Sequence, residues 1–265
     1  MPEGDTILWA ATRMRPVLEG RVPDEVKMPA GRPGAQRGSP GLERWPGRLA
    51  GRRIEAVDTH GKNLFLHFEG DLVLHSHLKM TGAWGVFEPG RRWHRSPSRA
   101  WIVLSRGGTD VVQFDGPVLE LLTEARARFD QRLAGLGPDV LAAKFDSERF
   151  VARLRQDDPD RPIGDAVLDQ RTVAGIGNIW KSEGCWEARV DPWRPVRSVT
   201  DEQAVAIVEG ARPRMLRSGT RGPRFAGEQI YRRAGRPCPR CGTAIRSRPQ
   251  GEGNRMTYWC PGCQT

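Results

Sequence analysis

Lysine is scarce in this 265-residue chain. Of its 42 basic residues only five are lysine (Lys27, Lys62, Lys79, Lys144 and Lys181), so the net charge of +10 rests on arginine. A positive surplus suits a polyanionic partner. Arginine in place of lysine, beside abundant glycine and proline, is also what a GC-rich genome produces, so charge alone is modest support for nucleic acid. Long apolar runs are missing as well. None approaches the roughly 18 residues a membrane span needs, so no membrane partner is expected. Met1–Met14 carries Glu3 and Asp5 and has no basic flank before an apolar stretch. That pattern is not a secretory signal, and a cytoplasmic location is expected. No internal repeat is present. What remains is a hydrophobic content of 38%, enough for real cores, in a length that suits two modest domains or one large one.

The pattern changes character along the chain. Ile7, Leu8, Ala11, Met14 and Val17–Leu18 recur at helical spacing, which predicts a helix over Glu3–Leu18. Pro29–Gly51 is rich in Pro, Gly and Arg and reads as loop. Alternation follows from Ile54 to Trp84, and Ala100–Ser105 with Asp110–Phe114 predicts a hairpin around Arg106–Thr109. The first 120 or so residues therefore read as one helix and an antiparallel sandwich or barrel. After a linker near Thr123–Gly135, helices are expected at Asp146–Leu154, Ile163–Gln170, Asn178–Ala188 and Thr200–Leu216.

Cysteine is limited to five residues, and four of them form two Cys-x2-Cys knuckles, Cys238–Cys241 and Cys260–Cys263, eighteen residues apart. Four thiolates on two such turns make a closed tetrahedral site that suits one structural Zn²⁺ and leaves no open position for catalysis. Disulfides are the rival chemistry, but nothing signals secretion. Ala244–Arg246 and Met256–Trp259 are expected to pair as a hairpin with Gln250–Arg255 at its tip, where Arg255 is either a phosphate probe or a solvated cap residue. The fifth, Cys185, has no cysteine partner nearby and reads as a small core residue.

Two short segments carry further chemistry. Pro2-Glu3 follows the initiator methionine, which is normally clipped before a small residue. Pro2 would then hold a free secondary amine. An α-amino group titrates at about 7.7–8.0, so a useful fraction is unprotonated nucleophile near neutrality. Attack on a sugar aldehyde would give a cationic iminium, with the Glu3 carboxyl beside it to move protons. Met-Pro-Glu also opens many proteins, so the pair alone is weak. In Val173–Ile179, Gly175 and Gly177 permit a tight turn before a helix that starts near Asn178. The amides of that helix start are a ready phosphate site, although a lone Gly-x-Gly is common at ordinary helix corners.

Pro2-Glu3-Gly4, Gly61-Lys62-Asn63-Leu64, Leu136-Gly137-Pro138-Asp139-Val140-Leu141, Leu168-Asp169-Gln170 with Gly175–Ile179, and the four-cysteine ribbon occur in that order. Together they resemble the formamidopyrimidine-DNA glycosylase/endonuclease VIII family of base-excision repair enzymes, over nearly the whole chain apart from Lys27–Arg48. The resemblance implies an α+β fold of two domains. An N-terminal β-sandwich with a leading helix would span 1–122 and a linker 123–135. A helix–two-turn–helix domain would span 136–225 and a zinc ribbon hairpin 226–265. It also implies a bifunctional DNA glycosylase/AP lyase acting as a monomer on damaged double-stranded DNA in a bacterial, nucleoid-associated setting, with no redox or nucleotide cofactor. Pro2 would be the Schiff-base nucleophile, and Glu3 the acid that protonates the sugar ring oxygen. Lys62 would contact phosphate and assist early steps, unless it only keeps an edge strand soluble. Asn178 and Arg255 would grip phosphates, Arg255 being tied to δ-elimination. Lys79 and Met80, in His77–Gly82, match the loop that fills the gap left by an extruded base; the bland alternative for Met80 is a buried strand residue.

The chain also departs from the family. Phe114–Leu119 lacks the arginine of a second wedge, and Thr6 stands where many relatives have glutamate. The Pro2-Glu3-Gly4 opening, the missing wedge pair and the short Ser218–Gly227 segment favour the endonuclease VIII branch and oxidised pyrimidines. An enzyme directed at 8-oxoguanine or formamidopyrimidine is one alternative. A catalytically silent nucleic-acid-binding protein with this fold is the other.

Overall fold

The structure is a computed structural model and describes residues 2–29 and 44–265. By internal contacts the chain divides into two compact units, one of Pro2 with residues 6–134 and one of Glu3–Asp5 with Gly135–Thr265. The mixed α+β architecture expected from the alternation and the helical periodicity is present in both.

In the first unit, α1 (Gly4–Leu18) buries Ile7, Ala11, Met14 and Leu18 along one face. Two four-stranded antiparallel sheets follow. One has the order β2 (Ile54–His60), β3 (Asn63–Phe68), β4 (Leu72–His77) and β8 (Val118–Thr123); the other has β1 (Glu25–Lys27), β6 (Ala100–Arg106), β7 (Thr109–Phe114) and β5 (Ala83–Phe87). Leu64, Leu66 and Leu74 from the first sheet meet Ile102, Leu104 and Val111 from the second in one core, with the α1 face. Strand alternation sends Val103, Val112 and Phe114 to the opposite face, where they form a second cluster with Phe87 and Trp93. The second sheet is thus apolar on both sides.

Part of the stretch read as loop is helical. Trp45–Leu49 forms α2, because Trp45 and Leu49, four residues apart, both bury against the sandwich core. Residues 30–43 of that stretch lie outside the described residues. The expected linker holds α3 (Glu124–Phe129), capped by the Thr123 hydroxyl, and α4 (Gln131–Ala134).

The second unit packs α5 (Ser147–Arg155), α6 (Ile163–Ala166), α7 (Asn178–Glu187) and α8 (Asp201–Arg221) around Phe150, Leu154, Ile163, Val173, Trp180, Ile207 and Met215. α8 begins in a reciprocal capping box between Thr200 and Gln203 and runs five residues beyond the expected end. α6 is shorter than expected. After Ala166 the chain turns, because the Gln170 side chain bonds the carbonyls of Leu168 and Ile176 and Asp169 accepts from the Arg171 amide. β9 (Arg246–Gln250) and β10 (Arg255–Trp259) form the expected hairpin, with β9 starting two residues later than the sequence suggests. Among the described residues no helix is long and apolar enough to cross a membrane.

Candidate active site

The second unit closes around Glu3. This side chain is only 1% exposed, and its carboxylate accepts hydrogen bonds from the amides of Gly177 (2.9 Å), Ile179 (2.9 Å) and Trp180 (3.4 Å). These are the orphan donors at the start of α7, where the helix dipole favours an anion. The amides that the sequence offers to a phosphate are therefore engaged by the protein's own carboxylate. All three partners are donors, so the cradle is built for the ionised group. Pro2, next in the chain, is half-buried.

The turn that presents these amides is itself braced. Gln170 Oε1 accepts from the Gly175 amide (3.0 Å), its Nε2 donates to the Ile176 carbonyl (2.9 Å), and the Gly4 amide donates to the Gly175 carbonyl (2.9 Å). Gly175 adopts φ +105°, a conformation that favours glycine. Gly177 is extended (φ −124°), so its requirement is spatial. A Cβ there would lie 2.3 Å from Glu3 Cδ and 2.5 Å from Oε1. Just beyond the Glu3 turn, Asp5 accepts from the Ser218 hydroxyl at 2.6 Å.

Asn178 is nearly buried and donates from Nδ2 to the Met256 carbonyl at 2.8 Å, while its Oδ1 has no hydrogen-bond partner among the described residues. Met256 adjoins Arg255, the exposed first residue of β10, across the tip Gly251–Asn254 from Gln250. Arg255 lines an open cavity with Asp158, Arg161, Asp165 and Asp169.

Sequence reasoning missed the group that holds this hairpin. Lys181 lies inside α7 with no exposed surface, its ammonium donating to Thr257 Oγ1 (2.5 Å) and Gln250 Oε1 (3.2 Å). Burial pushes its pKa down to about 8. Glu183, two residues on and equally buried, accepts from the amides of Gln229, Ile230 and Tyr231 at 2.9 Å and from Arg214 at 3.0 Å. The available signal was two opposite charges, Lys181 and Glu183, in a helix that also carries Ile179, Trp180, Cys185 and Trp186, since buried charges need partners.

The four cysteines of the knuckles converge, with their Sγ atoms within 4.8 Å of one another. Cys238–Cys263 and Cys241–Cys260 are 3.9 and 3.5 Å apart. Metal–sulfur bonds of about 2.3 Å at tetrahedral angles place sulfurs about 3.8 Å apart, whereas a disulfide requires about 2.05 Å. The Arg240 amide and Trp186 Nε1 each point at Cys238 Sγ at 3.4 Å, as donors to a thiolate do. The donor set fits a four-thiolate metal centre. Cys185 is fully buried and burial pushes its thiol up to about 12, so it is the inert core residue expected.

In the first unit, Lys62 follows Gly61 (φ +59°) in the two-residue turn joining β2 to β3. His77, at the end of β4, has its pKa lowered to about 4, first by burial and then by the charges of Lys79, His75 and Lys62. Met80 is 66% exposed at the apex of the β4–β5 loop, and the alternative of a buried strand residue does not hold. The loop closes through a bond from the Gly82 amide to the Leu78 carbonyl (2.9 Å), with Leu78 buried beneath it. Thr6, Trp9, Ala10, Arg13 and Trp84 line a small, mostly apolar recess next to Leu78 and Gly82.

Residues 1–117 match the formamidopyrimidine-DNA glycosylase N-terminal domain, and residues 136–222 match the H2TH domain of formamidopyrimidine-DNA glycosylase. The chain belongs to the formamidopyrimidine-DNA glycosylase/endonuclease VIII family. A probable endonuclease 8 2 of Streptomyces coelicolor is 41% identical over 276 residues, covering all of this chain and 94% of that protein. A DNA-(apurinic or apyrimidinic site) lyase Nei2 of Mycolicibacterium smegmatis is 36% identical, covering all of this chain and 99% of that one. The fold is that of Lactococcus lactis Fpg in complex with DNA containing an abasic site, with a TM-score of 0.83 at 20% identity over the full length of both chains.

Proposed function

We propose that the chain excises oxidised pyrimidines from damaged double-stranded DNA through a Schiff base at Pro2 and cleaves the strand by β,δ-elimination. Its family and its full-length relatives make it a bifunctional base-excision-repair glycosylase and AP lyase. The observation that carries the chemistry is the Glu3 carboxylate, cradled by three amides and adjoining Pro2 in the chain. With Met1 removed, the Pro2 nitrogen bonds to C1′ as the C1′–base bond breaks. The proton released from the amine passes to Glu3, which enters as an anion and therefore acts first as acceptor. Glu3 then returns that proton to the ring oxygen as the sugar opens to the iminium. The iminium acidifies the neighbouring sugar protons. Loss of one expels the 3′ phosphate, and a further proton loss expels the 5′ phosphate.

Lys62, Asn178 and Arg255 supply phosphate contacts in this reading, with Arg255 assisting the second elimination. Met80 enters the gap left by the extruded base, flanked by Lys79. Cys238, Cys241, Cys260 and Cys263 hold one Zn²⁺, which supplies no reacting group and fixes the ribbon fold. No redox or nucleotide cofactor is called for, and the enzyme acts as a monomer in the bacterial cytoplasm at the nucleoid.

The pyrimidine preference is supported at the end of α8. The helix stops at Arg221, and by Ala226 the chain is again in the core, with the amides of residues 229–231 held by Glu183. That tether leaves little chain for a loop to cover an 8-oxopurine.

Borohydride trapping on duplexes with an abasic site or dihydrouracil tests the chemistry. A covalent adduct is expected from protein lacking Met1. Absence of the adduct, or a trapped adduct that peptide mapping places at a residue other than Pro2, would overturn the Schiff base at Pro2.

A further inference from the structure

The loop carrying Met80 is held from outside itself. The Thr81 hydroxyl donates to the Asp115 carbonyl (3.3 Å) in the turn after β7, and Arg95 Nη1 donates to the Thr81 carbonyl (2.9 Å) and to Asp115 Oδ2 (2.8 Å). Arg99 binds the same carboxylate oxygen at 2.7 Å, and its carbonyl accepts from the Asp115 amide. Arg95 and Asp115 are each only about a quarter exposed, at 26% and 22%. The segment that presents Arg95 is anchored in turn. Trp93 Nε1 donates to Asp110 (3.1 Å), and Trp93 and His94 pack on Phe114 with centroids 5.8 and 5.5 Å away.

This clamp sits on the turn Phe114–Pro117, where the sequence lacks the arginine of a second wedge. A side chain pushed into a base stack works only if its support does not yield, because each unstacked step costs a few kcal/mol. Met80 is the exposed end of a lever, and the clamp takes its load through the Thr81 carbonyl.

We propose that Arg95 is a positioning residue for base extrusion, bridging Thr81 and Asp115 so that Met80 meets the duplex on a rigid loop. The proposal rests on the reading of Met80 as the wedge. It predicts a signature that general damage to the fold does not produce. An intact oxidised base in a duplex must be levered out, whereas a preformed abasic site or a single strand needs little extrusion.

The test is single-turnover cleavage by Arg95→Ala of three substrates: a dihydrouracil duplex, an abasic-site duplex and single-stranded dihydrouracil DNA. Arg99 still holds Asp115, so the loss that counts is the one bond from the charged guanidinium to the Thr81 carbonyl, which predicts roughly ten-fold slower excision from the dihydrouracil duplex. The other two substrates should stay within about three-fold. Arg95→Lys, which keeps a charged donor, should recover most of the loss. Arg92→Ala, which removes a charge from the same segment, should not reproduce it. Equal slowing on all three substrates, or equal slowing by Arg92→Ala, overturns the proposal. So does wild-type excision by Arg95→Ala when Met80→Ala is impaired. If Met80→Ala is also unimpaired on the dihydrouracil duplex, the wedge reading itself fails.

Discussion

Gly177→Ala isolates the link between the α7 terminus and the chemistry. The backbone at this position is extended (φ −124°, ψ −161°) and tolerates alanine, so the effect comes from the added methyl alone. That methyl would lie 2.3–2.6 Å from Cδ, Oε1 and Cγ of Glu3, against about 3.5–4.0 Å for ordinary contact. The carboxylate must therefore withdraw by about 1 Å, which stretches its two 2.9 Å bonds past hydrogen-bond range. Bonds to a charged group contribute about 1.5–3 kcal/mol each, so the placement of Glu3 loses about 3–6 kcal/mol. Displacing a proton-transfer group costs about 10²–10⁴-fold in rate. The assay is single-turnover excision and borohydride trapping, with melting and metal content measured in parallel. Excision should fall at least a hundred-fold while metal content and DNA affinity persist. Activity within three-fold of wild type, with Glu3 in its original place, would refute the reasoning.

Other perturbations separate the remaining parts. Gln170→Ala removes three bonds from the turn that aims the α7 amides and should slow excision roughly ten-fold with the metal retained, read by the same assay. Cys238→Ser should abolish stoichiometric zinc by elemental analysis and loosen the hairpin carrying Arg255, whereas Cys185→Ser should leave zinc content unchanged. Lys181, with its pKa lowered to about 8 by burial, binds fewer protons folded than unfolded between pH 8 and about 10.4. Stability therefore rises with pH across that window, by up to about 3 kcal/mol relative to Lys181→Met. Denaturant melts of both proteins at pH 7.5 and 10 measure the difference, and parallel pH profiles would contradict the assignment.

Local signals carry much of the fold into the sequence. Alternation marks the sandwich strands because one residue in two faces the core, and the knuckle spacing marks the ribbon because a metal needs four thiolates at fixed distances. What escapes the sequence depends on distant partners. Trp45–Leu49 contains Pro46 and Gly47 and has the composition of a loop; burial of its two large side chains makes it a helix. Ile163–Gln170 has the apolar content of a longer helix, but the side chains of Asp169 and Gln170 draw the backbone into turns. Glu3 and the Gly177 amide meet across 174 residues, so neither periodicity nor spacing could show that the helix terminus is occupied from within. Met80 is ambiguous in sequence for a related reason: its exposure depends on the closure of Leu78–Gly82, which the pattern of apolar residues does not encode.

The same helix explains how Glu3 and Arg255 keep their geometry. α7 has ten residues, and it fixes the second unit at five points. Its first amides hold Glu3, and Asn178 holds the carbonyl next to Arg255. Lys181 grips both strands of the ribbon hairpin through Gln250 and Thr257. Glu183 ties down residues 229–231, and Trp186 donates to Cys238 Sγ. A helix is stiff over this length, so Glu3 and Arg255 are referenced to one rigid element instead of to each other through loops. The cost is two buried charges, and each is offset by partners that also set position. Removing one partner therefore strands a buried charge in addition to deleting a hydrogen bond. Substitutions at Gln250 or Thr257 should therefore move Arg255 and lower the second elimination more than the first, which the ratio of β- to β,δ-elimination products would show.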